Sequence, residues 1–455
     1  MFALRYVVNT ITKGAMCGMQ RSIPCKSPAF VSSGNFVFLG SSSQSRRNSA
    51  AYSTLAISAV SMDDEAVNIR WKDGSITKHH HIWLRDHCHC EQCYNSSTFQ
   101  KEFNIVDVSL DIKPTKVSIP EENNLRIKWP DSHETSFDST WLRQHSYHIE
   151  QGTSGLKKPD QKEELFMWNR DTIEPNVPSH FDFSKVVSSD YEVSTLSQCI
   201  MKYGFAFVEN TPTKVGAIEE ISTKLSGYVM ETHYGKLWEF SNEVMEHADT
   251  AYTASYLRGH IDNTYFSNPA GLQMLHCVEH EGRGGMNLLV DGFFVAEQLR
   301  KDDRASFDFL TSTTIPFQYK SEELHLKANG PIIELDPFDG TISRIRFNTY
   351  DTQTLDCLNY EDVAQYYKAL KAFTELTCAP ENQLWFKLVP GLLLIMGNWR
   401  VLHGRSSFTG KRTMQGCYVN GDDFFGKYRA RALAMNKTQD PDNDRSSCKQ
   451  NPGYK

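Results

Sequence analysis

His260 and Asp262 stand one residue apart in the stretch Gly259-His260-Ile261-Asp262-Asn263. Side chains alternate between faces along an extended strand, so the two would point the same way and could share one metal ion. A third donor, His403, lies far downstream in Trp399-Arg400-Val401-Leu402-His403-Gly404-Arg405. Two imidazoles and one carboxylate on one face of an octahedral ion leave the remaining positions open, which is the arrangement of non-haem Fe(II) oxygenases. His-x-Asp by itself is weak evidence. The chain also holds His180-x-Asp182 and His247-x-Asp249, and a histidine in such a pair is as readily a surface partner or a buried, hydrogen-bonded side chain.

A second cluster is Cys88-His89-Cys90-Glu91-Gln92-Cys93. Zinc takes four soft or borderline donors in a tetrahedron, and three thiolates supply only part of that set. Spacing alone leaves the fourth open among His87, His89, the run His79-His80-His81 and His133.

The elements that must carry these residues are short. Gly204–Val208, Leu272–Val278, Thr313–Phe317, Pro331–Leu335, Arg344–Phe347, Leu384–Leu388, Leu392–Met396 and Gly416–Val419 have the apolar character of strands. Helical periodicity falls on Lys214–Gly227, Ala296–Leu310 and Asp362–Thr377. Many short strands with a few outer helices predict a mainly β fold with flanking helices, an antiparallel barrel or jelly roll. Ahead of it, residues 63–149 contain alternating runs such as Val67-Asn68-Ile69-Arg70-Trp71 and Leu125-Arg126-Ile127-Lys128-Trp129, which predict a small β-rich domain. Residues 150–179, with Gly152, Gly155, Pro159 and Pro175, read as a linker, and residues 432–455 as a polar tail.

The first 62 residues carry Arg5, Lys13, Arg21, Lys26, Arg46 and Arg47, many serines and no Asp or Glu, the composition of a mitochondrial transit peptide directing the chain to the matrix. The whole chain has a formal net charge of −7, which becomes −13 once those six cations are removed. An acidic body argues against nucleic acid as a partner. No stretch approaches the length of a membrane-spanning helix. The 11 cysteines, odd in number and unevenly spaced, read as free thiols or metal ligands and not as a disulfide framework.

The block around His260, with Gly284-Gly285-Met286-Asn287-Leu288-Leu289, Trp399–Arg405 and Gly416-Cys417-Tyr418, resembles the γ-butyrobetaine dioxygenase family of Fe(II)/2-oxoglutarate oxygenases, from about Asn68 to about Arg431. The resemblance implies a double-stranded β-helix over residues 180–431 with His260, Asp262 and His403 on iron. It also implies a zinc-binding N-terminal domain in which His133, in Trp129-Pro130-Asp131-Ser132-His133, completes the set of Cys88, Cys90 and Cys93. The family position for holding 2-oxoglutarate matches Arg412, whose guanidinium fork suits a carboxylate; Arg405 is the alternative. Asn287 stands there where a threonine is usual, and Gly397 where an aspartate is usual.

An aromatic cage for a quaternary ammonium matches Tyr234, Trp238, Tyr252 and Tyr418. Each face contributes about 0.5 to 2 kcal/mol when desolvated. At the other end of the substrate the family positions are Asp249 and Asn348. Asp249 would repel a carboxylate but accept from an α-ammonium, so the expected reaction is hydroxylation of 6-N-trimethyllysine at C3. O2 and 2-oxoglutarate would be consumed, with L-ascorbate keeping the iron reduced, in a homodimer. γ-Butyrobetaine hydroxylation by the same chemistry is the alternative, and a non-catalytic zinc-containing binding module is the alternative from another class.

Overall fold

The computed structural model describes residues 56–121, 123–147, 165–214, 216–241, 253–337 and 339–439. Two compact units divide the chain, Met1–Pro159 and Asp160–Lys455.

In the larger unit, a six-stranded sheet runs in the order Trp238–Ser241, Arg412–Val419, Leu272–His280, Leu393–Gly397, Phe205–Glu209, Phe181–Asp182. A four-stranded sheet runs Leu257–His260, Val401–Arg405, Asn287–Asp291, Leu384–Phe386. Strand alternation divides their residues between cores. Leu275, Leu394, Met396 and Met414 of the first sheet share a core with Leu289, Leu384 and Val401 of the second. On the opposite face of the first sheet, Leu272, Met274, Leu393 and Ile395 pack with Leu196, Ile200, Ile218 and Ile221 of helices Asp190–Tyr203 and Ala217–Ser226. Leu288, Val290 and Leu402 turn the other way, onto Phe293, Leu299, Phe307 and Phe373 of helices Gly292–Asp302, Arg304–Ser312 and Tyr360–Cys378. Both faces of each sheet are therefore buried, which is why these strands read as unbroken apolar runs. The architecture is a double-stranded β-helix with helices on both outer faces.

Four spans differ from the sequence expectation. The span 296–310 breaks in two at Asp303, whose carboxylate accepts from Ser306 N at 3.1 Å and caps a new helix. Helix Asp190–Tyr203, unexpected, hides Ser194 and Ser197 among its buried positions, so its inward face looks polar in sequence; Gly204 at φ +81° ends it. Within the stretch expected to be linker, Trp168 is buried, with its backbone N donating to Asp291 Oδ2 at 3.0 Å and Nε1 to the Tyr203 carbonyl at 2.7 Å. Residues 165–179 thus pack as part of the larger unit. Helix Gly421–Gln439 likewise runs into the span expected as tail.

The smaller unit contains one supersecondary motif twice. Strands Ile57–Met62, Ala66–Trp71 and Ile76–His80 form a sheet followed by helix His81–Asp86; strands Lys116–Glu121, Asn124–Lys128 and Glu134–Asp138 form another followed by helix Ser139–Gln144. Side-chain detail repeats as well. Trp71 Nε1 donates to Thr77 Oγ1 at 3.0 Å and Trp129 Nε1 to Thr135 Oγ1 at 2.8 Å. His87 and His145 each bond through Nδ1 to the carbonyl of Trp83 and Trp141, at 2.8 and 2.7 Å. Gly74 and Ser132 occupy the same turn position with φ +87° and +68°. Across the halves the contacts are reciprocal: Arg143 pairs with Asp73 at 3.0 Å and Arg85 with Asp131 at 3.9 Å. A shared core of Ile69, Trp71, Leu84, Ile127, Trp129 and Leu142 joins them. Strand Ile57–Met62, whose Ile57 is buried in this core, lies inside the span 1–62 expected as a transit peptide; the folded unit therefore starts before residue 63. The rest of that span, residues 1–55, lies outside the described residues.

Candidate functional site

His260 and His403 are direct cross-strand partners in the antiparallel pair Leu257–His260 and Val401–Arg405, which puts their imidazoles on one face with centroids 4.4 Å apart. Asp262 does not share the strand, which ends at His260. The chain turns there, and Asn398 holds the turn: its Oδ1 accepts from Asp262 N at 3.0 Å, and its Nδ2 donates to the carbonyls of Asp262 and Ala270 at 3.0 and 2.9 Å. As a result Asp262 Oδ1 lies 3.4 Å from His260 Nε2 and 3.5 Å from His403 Nε2. The three donor atoms lie within 4.8 Å of one another, and could hold one ion. The other His-x-Asp pairs do no such thing: Asp182 caps a helix by accepting from Lys185 N at 3.2 Å, and His247 with Asp249 lies outside the described residues.

Neighbours fix these donors in a ligating state. His260 Nδ1 bonds to the Arg258 carbonyl at 2.8 Å, so this nitrogen carries the proton and Nε2 faces the site with its lone pair. Asp262 Oδ2 accepts from Tyr418 Oη at 2.7 Å and from Gln273 Nε2, leaving Oδ1 toward the imidazoles. Tyr418 and Gln273 oppose each other on adjacent strands of the six-stranded sheet. One sheet thus supplies the histidines and the other orients the carboxylate. Burial opposes ionisation of Asp262, yet the imidazoles of His403 and His260 and the Tyr418 hydroxyl outweigh it and keep the carboxyl well below its usual range. Burial pushes His403 down to about 4. For His260 burial acts downward too, but the bond and charge of Asp262 win and raise it.

A cavity of about 370 Å³ opens on this cluster. Arg412, Asn287 and Arg405 all line it. Arg412 is buried, which lowers its pKa to about 10, with the Cys277 thiol acting the other way. Its Nη2 donates to Asn287 Oδ1 at 3.4 Å. Asn287 Nδ2 is buried with no protein partner, so a guanidinium and an orphaned amide donor stand together, a pairing suited to an incoming carboxylate. Arg405 is used differently: Nη2 donates to the Thr253 and Ser255 carbonyls at 2.6 and 3.2 Å, tying that segment to the strand that carries His403.

Tyr234, Trp238 and Tyr418 line the same cavity. Tyr234 and Trp238 do not share a helix face: Tyr234 sits in a turn and Trp238 begins a strand. Trp238 lies over Gly416, where a Cβ would come within 2.0 Å of its ring. Tyr265 and Tyr319, which sequence reasoning did not assign, extend the aromatic wall; Tyr234 Oη is 3.3 Å from Tyr265 Oη, and the Tyr265 and Tyr319 rings are 5.4 Å apart. Asn348 lines the cavity and donates from Nδ2 to Asp351 Oδ2 at 2.9 Å. Tyr252 and Asp249 lie outside the described residues. Gly397 makes no side-chain contribution, and the support near His403 comes from its neighbour Asn398.

In the smaller unit, the Sγ atoms of Cys88, Cys90 and Cys93 lie 3.3, 3.6 and 3.6 Å from His133 Nε2. A zinc tetrahedron with bonds of about 2.3 Å to sulfur and about 2.0 Å to nitrogen has S···N edges of roughly 3.5 Å. One imidazole nitrogen cannot hydrogen-bond three thiols at once. Burial pushes the Cys88 thiol up to about 11, whereas at Cys90 burial is outweighed by hydrogen bonds from the Gln92 and Cys93 backbone and the neighbouring thiols, which lower it. His87 instead stacks on the Trp83 ring and His89 meets the Trp141 ring edge-on, and His79 is buried against Thr77.

Residues 170–418 match the family Taurine catabolism dioxygenase TauD, TfdA, and residues 59–146 match Gamma-butyrobetaine hydroxylase-like, N-terminal. The chain is 36% identical over 364 residues to the mitochondrial trimethyllysine dioxygenase of Mus musculus, covering 79% of this chain and 84% of that one. Against the trimethyllysine dioxygenase of Meyerozyma guilliermondii identity is 37% over 379 residues, covering 81% and 94%. Against the γ-butyrobetaine dioxygenase of a Pseudomonas species it is 28% over 364 residues, covering 79% and 92%. With its metal-ligand geometry, its two domains and these matches, the chain belongs to the TauD/TfdA dioxygenase family, on the branch of the trimethyllysine and γ-butyrobetaine enzymes.

Proposed function

We propose that this enzyme hydroxylates 6-N-trimethyl-L-lysine at C3, with His260, Asp262 and His403 holding Fe(II). What carries the reading is a single cavity lined by three metal donors, a buried guanidinium beside an orphaned amide, and a wall of tyrosine and tryptophan. Fe(II) bound there supplies oxidising chemistry: 2-oxoglutarate and O2 are converted to succinate and CO2, and one oxygen atom enters the substrate C–H bond. Arg412 and Asn287 hold the far carboxylate of 2-oxoglutarate. Tyr234, Trp238 and Tyr418, with Tyr252, receive the trimethylammonium, which has no hydrogen to donate and is held by aromatic faces. Asn348 and Asp249 serve the amino-acid end. The protein's own work is to aim one C–H bond at the metal and keep water away.

Further parts of the reading have separate grounds: ascorbate as reductant and a homodimer follow the resemblance, the mitochondrial matrix follows the basic, acid-free composition of the first 62 residues, and the acidic body and the lack of a long apolar stretch argue against nucleic acid and membrane as partners. Among the described residues no helix is long and apolar enough to cross a membrane. Incubating the purified protein with Fe(II), 2-oxoglutarate, ascorbate and each amine, then identifying products by mass spectrometry, tests the assignment. Turnover of γ-butyrobetaine alone would overturn it in favour of the sister reaction. Absence of any decarboxylation would favour a binding module.

Two expected results belong here. Tyr418→Phe keeps the ring but frees Asp262 Oδ2 of one donor; loss of such an outer partner typically costs about 10- to 100-fold in metal affinity or activity. Fe(II) titration of the variant measures this, and wild-type affinity would show that the hydroxyl does not support the ligand. Zinc on Cys88, Cys90, Cys93 and His133 is structural, because four protein donors close the coordination shell. Cys90→Ser should lose bound zinc, counted by atomic emission, and raise amide exchange over residues 87–107 and 131–133 while the core around Trp71 and Trp129 stays protected.

A further inference from the structure

Three thiolates and a neutral imidazole on a zinc dication leave the site one negative charge in excess. That charge is buried, with Cys88 3% and Cys93 4% exposed, and a charge away from water needs a partner. A cleft opens beside Cys93 and His133. Its other charged lining residues, among those described, are the acids Glu102, Asp107 and Asp131 and one cation, Arg85.

Arg85 is placed to meet the excess charge. It is buried, Phe103 lies against its guanidinium at 4.4 Å, and Nη1 donates to Cys93 Sγ at 3.3 Å. Its carboxylate partner Asp131 is 3.9 Å away with a side chain 56% exposed, too distant and too well solvated to compensate a buried guanidinium by itself. The site and the cation therefore each lack what the other supplies.

The repeated motif shows the same arginine where there is no metal site. Trp71, Gly74 and Thr77 correspond to Trp129, Ser132 and Thr135, so Asp73 corresponds to Asp131 and Ser75 to His133. Arg85 and Arg143 are each the fifth residue of their helices. Arg143 donates to Asp73 Oδ2 at 3.0 Å and to Ser75 Oγ at 2.6 Å, so a carboxylate in direct contact neutralises it. At Arg85 the direct contact has passed from carboxylate to sulfur.

We propose that Arg85 is the counter-ion of the zinc site: it donates to the Cys93 thiolate, offsets the excess negative charge and thereby tightens zinc binding. This rests on the zinc reading above, and it gives Arg85 a role that Arg143 does not share.

The test measures the zinc affinity of the full chain by competition with a chromogenic chelator. Arg85→Met, which keeps a stem of similar length without the charge, should weaken zinc by roughly 10- to 100-fold, the usual cost of losing a partner behind a metal ligand. Arg85→Lys, which keeps the charge, should recover part of that. Arg143→Met removes the corresponding guanidinium from the half without a metal site; it should lower the unfolding temperature and leave zinc affinity at the wild-type value. Cobalt(II) in place of zinc gives a second reading, because its near-ultraviolet sulfur-to-metal charge-transfer band comes from the thiolates alone. Losing a hydrogen bond raises the energy of the sulfur lone pairs, so the band should move to longer wavelength in Arg85→Met and stay in place in Arg143→Met. Wild-type zinc affinity in Arg85→Met, or a cobalt band that does not move, overturns the proposal while the zinc site stands. Equal weakening in Arg85→Met and Arg143→Met also overturns it, since both arginines would then be braces of the fold. A wild-type chain that binds no zinc at these cysteines removes the zinc reading itself, and the role of Arg85 with it.

Discussion

His403→Ala brings succinate formation from 2-oxoglutarate to background and leaves the thermal unfolding transition close to that of the wild type. The imidazole is mostly buried, yet its Nδ1 has no protein partner and its Nε2 faces only the other donors of the cluster. Removing it breaks no hydrogen bond that supports the fold. A buried histidine that does so little for stability, set 4.4 Å from a second imidazole, is accounted for by an ion the three donors share. Iron titration should show weakened binding in the variant, and the same loss is expected for His260→Ala and Asp262→Ala. Substantial turnover in His403→Ala would remove the metal-site assignment.

Arg400→Ala should have the opposite signature, a large loss of stability with the metal donors untouched. Arg400 is 5% exposed and its partner Asp291 0%. Nε and Nη2 reach the two Asp291 oxygens at 3.1 and 2.7 Å, and the remaining donors go to the carbonyls of Lys202 and Phe166 at 3.0 and 2.6 Å. Asp291 in turn accepts from Phe293 N at 3.1 Å, capping helix Gly292–Asp302, and from Trp168 N at 3.0 Å. Removing the guanidinium leaves a carboxylate buried without its counter-charge, which typically costs about 3 to 5 kcal/mol. In a domain of this size that lowers Tm by roughly 10 °C. Thermal or urea unfolding measures it, and the double variant Arg400→Met with Asp291→Asn should recover part of the loss because the stranded charge is gone. A shift below about 1 kcal/mol would mean that the pair is not what binds the 166–168 segment to the sheets.

Much of this was legible in the chain. The apolar runs announced the strands because both faces of each sheet are buried, and one residue between His260 and Asp262 announced a shared direction even though the strand ends between them. Long-range pairing was not legible: only the register of Leu257–His260 against Val401–Arg405 brings His403 opposite His260. Gln273 left a signal that went unused, a polar side chain inside an otherwise apolar strand, 3% exposed. Arg85 left none, since an arginine beside an aspartate looks like any surface pair until its guanidinium is seen on Cys93. Nor does the spacing of Tyr234 and Trp238 reveal that the two rings reach the cavity from a turn and an edge strand.

The doubled motif of the smaller unit has a consequence for how it came together. Each copy borrows its arginine clasp from the other, Arg143 reaching Asp73 and Arg85 reaching Asp131, so neither is self-sufficient. The pair has the form of a symmetric dimer fused into one polypeptide, in which the place of His133 in one copy is taken in the other by Ser75, under the guanidinium of Arg143. A lone copy would be expected to seek a second of its own kind.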